Sequence, residues 1–141
     1  MPDVYVTAAQ RRAVFNRAKY RCEYCRTPDA FVSDPFAVEH IIARSKRGLT
    51  RLPNLALACS ACNSHKYNKV EALDALSQEV VSLFHPRKQR WQDHFAWSED
   101  ELLVVGLTPT GRVTIETLQM NHPKMVNLRR LLKLAGLHPP T

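Results

Sequence analysis

The sequence predicts an α+β fold from three observations. Cysteines occur only as two C-x-x-C pairs, Cys22/Cys25 and Cys59/Cys62. The apolar runs "FAVEHII" and "NLALAC" are short, bounded by Pro and Asn, and read as strands. Patterns with helical spacing lie before the first cysteine pair and near the end of the chain.

Taken in order, Thr7 is suited to cap a helix over residues 8–20, with Val14, Phe15 and Ala18 on one side and Arg11, Arg12, Arg17 and Lys19 elsewhere. That helix leads into the first knuckle, "CEYC". The turn-rich "RTPDAFVSDP" follows, and Pro35 marks the start of the "FAVEHII" strand. A basic loop containing Gly48 and Pro53 joins it to "NLALAC", a second strand that runs into the second knuckle, and a helix is expected to open after Cys62. Between Lys69 and Phe84 two patterns compete: Leu73, Leu76, Val80 and Leu83 fit a helical stripe, whereas "EVVSLF" fits a strand. Pro86 ends either one. Beyond it, "HFAWS" and "ELLVVGLT" read as a hairpin joined through Glu99 and Asp100. Two helices are expected over Thr110 to Leu118 and Pro123 to Leu134, the latter with Met125, Leu128 and Leu132 on one face and Arg129, Arg130 and Lys133 off it.

A length of 141 residues with 45% hydrophobic content suits one ordinary domain. No run approaches the roughly eighteen apolar residues of a membrane span, and "MPDVYVTAAQRR" lacks the layout of a signal peptide. A cytoplasmic protein without a membrane partner is therefore expected. The net charge is +7, and between His40 and Val70 six basic residues (Arg44, Lys46, Arg47, Arg51, Lys66 and Lys69) stand without any Asp or Glu. Such a segment attracts polyanions, of which phosphate backbones are the commonest, although a solvated basic loop has the same composition.

In a chain without an export signal the four cysteines read as a structural Zn2+ site, because two C-x-x-C knuckles supply four thiolates to a tetrahedral ion. Two redox dithiols would need a thioredoxin-like strand and helix context that the sequence lacks. The knuckles are separated by 33 residues, too many for a minimal zinc ribbon, so they bracket further structure.

What they bracket carries Glu39 and His40 on the first strand and Asn54 at the head of the second; Asn63 and Lys66 follow on the helix. Strand neighbours point to opposite faces, so Glu39 and His40 approach a common centre from different sides. Asn63 and Lys66, three residues apart, share a helix face. A hard divalent cation such as Mg2+ or Mn2+ takes few protein oxygens, and Glu39 with the Asn63 amide meets that minimum. A neutral imidazole suits His40 to deprotonate water, with Asn54 expected to accept its other ring N–H.

In order and spacing, C-x-x-C, "EHI", Asn54 with a following Leu, and "CSACN-x-x-K" resemble the HNH endonuclease family. The resemblance implies a ββα-metal (His-Me finger) core at about residues 20–70, within one domain over residues 1–141. It implies metal-dependent hydrolysis of DNA, with His40 activating water, Asn54 orienting it, Glu39 and Asn63 holding Mg2+ or Mn2+, and Lys66 facing phosphate. The segments "LFHPRKQRWQDHFAW" and "GLTPTGRVTIETLQMN" are similar to the C-terminal part of small stand-alone HNH proteins, which implies an accessory hairpin and helices at about 79–135 and a strand over Glu79 to Phe84. Two departures stand out: "ARSKRGLT" has one glycine where relatives often have two, and His65 sits where the family has no fixed residue.

A nicking enzyme of low sequence specificity, monomeric or a weak homodimer, is the expectation. A non-catalytic, zinc-stabilised nucleic-acid-binding module shares the charge and the cysteines, as does a structural zinc domain that meets protein partners through its last helix. His40 with Asn54 and Asn63 separates the first reading from these two.

Overall fold

The computed structural model describes residues 5–140; residues 1–4, part of the N-terminal stretch read above, and residue 141 lie outside the described residues. Helix α1 spans Ala8–Arg17. It starts at Thr7 because a capping box forms there: the Thr7 side chain accepts the Gln10 amide at 3.0 Å and the Gln10 side chain accepts the Thr7 amide at 2.9 Å. The helix ends three residues earlier than the pattern suggests. Lys19 and Tyr20 both adopt left-handed backbone (φ 54° and 58°), which no helix accommodates. The reversal returns the chain to the first knuckle, where Val14, Ala18 and Tyr24 are buried together with the cysteines.

Strand β1 (Ala37–His40) pairs antiparallel with β2 (Leu55–Ala58) in a register that sets His40 opposite Leu55 and Glu39 opposite Ala56. All four residues of β2 are buried, which explains a continuous apolar run where an alternating one would mark a half-exposed strand. Helix α2 (Ser60–Lys66) follows at once, its N-cap being Cys59, whose sulfur accepts the Cys62 amide. The β1–β2 hairpin and α2, which packs on β1, form the expected ββα unit.

After α2 the ambiguous segment is a hairpin. β3 (Glu71–Asp74) pairs with β4 (Glu79–Ser82), so the strand reading of "EVVSLF" holds for its first four residues, and the helical stripe is not used. Of that stripe Leu73, Leu76 and Val80 are exposed, and Leu83 is buried. A second hairpin joins β5 (Phe95–Trp97) to β6 (Val104–Gly106), preceded by the short helix α3 (Trp91–His94). Helices α4 (Pro109–Leu118) and α5 (Pro123–Leu134) complete the α+β fold, each with Pro in its first turn.

Helix α4 ties the parts together, packing on α2, on β6 and on the β3–β4 hairpin. Its Arg112 makes a bidentate pair with Asp74 at the end of β3, with Nε to Oδ1 at 3.1 Å and Nη2 to Oδ2 at 2.9 Å. The aromatic residues Phe84, Trp91 and Phe95 are buried in the same core. One face assignment fails: Arg129, expected off the apolar face of α5, is 3% exposed. Its guanidinium donates to the carbonyls of Leu102 and Met120 and to Asn121 Oδ1, and these acceptors offset the cost of burying it. Among the described residues no helix is long and apolar enough to cross a membrane.

Candidate active site and metal centre

The two knuckles converge. Cys22, Cys25, Cys59 and Cys62 are buried, and their sulfurs all lie within 4.8 Å of one another. Sulfurs at about 2.3 Å from a tetrahedral Zn2+ are separated by about 3.8 Å; Cys25 Sγ and Cys59 Sγ are 3.6 Å apart. Burial pushes the Cys22 thiol well up. At Cys25 burial acts in the same direction but is outweighed by hydrogen bonds from the other three thiols and Thr27, so that thiol is well down. Four sulfurs this close cannot all ionise unless a cation compensates them. The donor set therefore fits a four-thiolate zinc ion.

The ββα unit opens a shallow cleft of about 310 Å3, lined by Val38, Glu39, His40, Ala43, Arg44, Asn63 and Tyr67. The end of β1 brings His40 to it, and the first turn of α2, directly after Cys62, brings Asn63. His40 Nε2 lies 2.8 Å from the hydroxyl of Thr50, and among the described residues its Nδ1 has no protein partner. Burial, then the charges of Arg44 and Lys66, lower the His40 pKa, so the ring is neutral at neutral pH.

Asn54 does not reach the ring. Its Oδ1 accepts the Ile42 amide at 2.8 Å, and its Nδ2 donates to the carbonyls of Ile42 at 3.0 Å and Leu49 at 2.9 Å. A side chain with those bonds acts as a clamp on the two ends of the basic loop, and Thr50 takes the place expected for Asn54 beside His40. The loop also closes on Gly48, where a Cβ would overlap the Ile42 carbonyl and approach Asn54 Nδ2. Arg47, immediately before it, takes the left-handed conformation (φ 70°) that a second glycine would adopt without strain.

Lys66 requires a correction. It faces inward and is 2% exposed; its ammonium donates to Glu39 Oε2 at 3.0 Å and to the carbonyls of Ile41 at 2.8 Å and His40 at 3.4 Å. Although three residues from Asn63 on α2, it reaches under β1, where the Glu39 carboxylate needs a counter-charge. Glu39 Oε1 accepts from the buried Tyr24 hydroxyl. Burial raises the Glu39 pKa, with Lys66 and Tyr24 opposing. An ionised carboxylate offers about four lone-pair sites, of which these partners occupy two. Glu39 and Asn63 thus line one cleft with oxygen donors that fit a divalent ion retaining most of its waters, but Lys66 offsets part of the negative charge such an ion would meet.

Arg44, Lys46, Arg47 and Arg51 are exposed around the loop, as the charge distribution predicts. Thr50, Tyr24 and Gln10 are the residues the sequence reading missed. Gln10 donates from Nε2 to the Thr50 carbonyl at 3.2 Å, bracing from α1 the residue that holds His40. Tyr24 was visible only as a letter inside "CEYC", and nothing in the spacing marks Thr50 or Gln10.

Residues 22–69 match the family model described as HNH endonuclease, a family of nucleases acting on nucleic acids. No curated protein and no solved structure matches the chain.

Proposed function

We propose that the protein is a metal-dependent HNH endonuclease that hydrolyses DNA phosphodiester bonds, with His40 as general base. The observation that supports this most directly is a neutral imidazole on the wall of a cleft, its Nε2 at hydrogen-bond distance from the Thr50 hydroxyl and its Nδ1 without a protein partner among the described residues, inside the segment matching the HNH model. With Nε2–H donating to the Thr50 hydroxyl oxygen, Nδ1 is the unprotonated nitrogen and takes a proton from water. As the O–H bond breaks, the oxygen attacks phosphorus in line, and the bond to the departing 3′ oxygen breaks. Asn54 contributes by holding the loop that carries Thr50 rather than by touching the base. Glu39 and Asn63 are the residues that would hold Mg2+ or Mn2+ in this reading. Such an ion, when bound, supplies positive charge to the phosphate and the leaving oxygen. Lys66 acts on Glu39 from beneath, and the four cysteines, which would hold Zn2+, fix the start of α2 and with it Asn63.

One His40 site per chain makes a single-strand nick the product for a monomer or weak homodimer. The exposed loop of Arg44, Lys46, Arg47 and Arg51 meets phosphates without base-specific geometry, which suits low sequence specificity. Keeping four thiols available for zinc suits a reducing, cytoplasmic setting. The ion pair of Glu39 with Lys66 favours a second reading, a non-catalytic nucleic-acid-binding module, because a neutralised carboxylate is a weaker cation ligand.

Zinc-loaded protein incubated with supercoiled plasmid, with and without Mg2+ or Mn2+, separates the two. Metal-dependent conversion to the nicked form, lost in His40→Ala, is the expected result. Plasmid binding without cleavage under any divalent metal would establish the binding module instead.

A further inference from the structure

Beside the first knuckle the surface opens into a second, larger cleft of about 710 Å3, sharing no lining residue with the cleft of His40. Four cations line it, Arg17, Lys19, Arg21 and Arg26, together with Trp91 and Trp97. The carboxylate on its wall, Glu23, is already engaged, pairing with Arg87 through Oε1 and accepting the Leu57 amide through Oε2. Arg17, Lys19 and Arg26 therefore leave the cleft with a net positive charge.

Two of the cations are anchored in place. Arg17 donates to the Leu55 carbonyl, on the strand residue paired with His40, and Arg26 lies over the Trp91 ring at 5.2 Å from its centroid. Lys19 and Arg26 both sit in left-handed backbone (φ 54° and 66°), where the chain leaves α1 and where it turns through the knuckle.

We infer that this cleft is a second polynucleotide contact, taking backbone phosphates that flank the segment engaged at His40. The choice of a polynucleotide over a small anion rests on the nuclease reading. The link between the two clefts is α1. Gln10 near its start braces Thr50, the partner of His40, and Arg17 lies seven residues further along. At 1.5 Å per residue that is about 10 Å of helix, or roughly three base-pair steps of 3.4 Å. Exposed Arg11 and Arg12 lie on the helix between them. Phosphates meeting this path release counterions, so binding through it is strongly salt-dependent.

Trp91 and Trp97 are the chain's two tryptophans and both line this cleft, which makes intrinsic fluorescence a local reporter. Zinc-loaded full chain is titrated with a short DNA duplex at several salt concentrations, following tryptophan fluorescence alongside anisotropy of a labelled duplex. A saturable fluorescence change is expected, retained in His40→Ala. The slope of log affinity against log salt is expected to flatten by about two in the double variant Lys19→Glu/Arg26→Gln, and by about one in Lys19→Glu alone. The single variant alters an exposed side chain and keeps the test valid if the double one fails to fold. Duplex binding with unchanged fluorescence and an unchanged slope in Lys19→Glu would overturn the inference. So would an equal fluorescence change with pyrophosphate that competes with duplex, which would mark a small-anion site. If plasmid cleavage is absent while the duplex response and its slope change persist, the cleft stands and the endonuclease reading falls.

Discussion

Lys66 Nζ lies 3.0 Å from Glu39 Oε2, with 2% and 5% of the two side chains exposed. A buried ammonium in contact with a carboxylate next to the candidate base ties the helix of the ββα unit to its first strand. Replacing Lys66 with Met leaves Glu39 buried beside Tyr24 without a counter-charge. The expected loss is ~3–5 kcal/mol in urea denaturation. Adding Glu39→Gln to that variant should recover most of it, since the unpaired charge is then gone. Full stability in Lys66→Met alone would show that the pair is not what joins α2 to β1.

Thr50 is the neighbour that orients His40. Thr50→Val preserves shape and removes the hydroxyl, so the ring loses its Nε2 partner. Metal-dependent nicking should fall at least tenfold, with DNA affinity within a factor of two, and Thr50→Ser should restore most of the rate. Equal losses in the valine and serine variants would point to packing rather than to the hydrogen bond.

The four-cysteine centre joins both knuckles to the start of α2. Zinc in such sites contributes folding free energy of order ~10 kcal/mol. Cys59→Ser, or treatment of the wild type with a strong chelator, should abolish the cooperative thermal transition in circular dichroism. A transition that survives chelation would remove zinc from the account of stability.

Asp74 provides a pH test. The hydrogen bonds from Arg112, joined by those from Ser77, hold its carboxyl well below the ordinary carboxylate range. Between the lowered folded value and the ordinary unfolded value of ~3.9, the unfolded chain binds more protons, so stability rises with pH across that window. The pair's contribution is present in full above the ordinary value and is lost as pH falls through the folded one. Asp74→Asn should therefore lower the melting temperature at neutral pH, and its gap from wild type should begin to narrow below about pH 3.9 and go on narrowing toward the lowered folded value. A gap that stays constant into acid would mean the variant acts through packing alone.

Much of the molecule was legible in the order of residues. Capping at Thr7, the knuckle spacing, the Pro residue that starts α5, and the "EHI" and "CSACN" segments are local signals. Each acts within a few residues, so a linear reading recovers it. By itself the sequence determined an α+β chain with a four-cysteine centre and a ββα unit carrying His40 and Asn63. Tertiary structure alone decided where Lys66 and Arg129 point, because an ammonium or guanidinium turns inward only where carbonyls and a carboxylate from distant segments await it. It also decided that Thr50 rather than Asn54 meets His40. An asparagine whose amide is turned to Ile42 and Leu49 is held away from the ring, and that placement is settled by the closure of the loop in space.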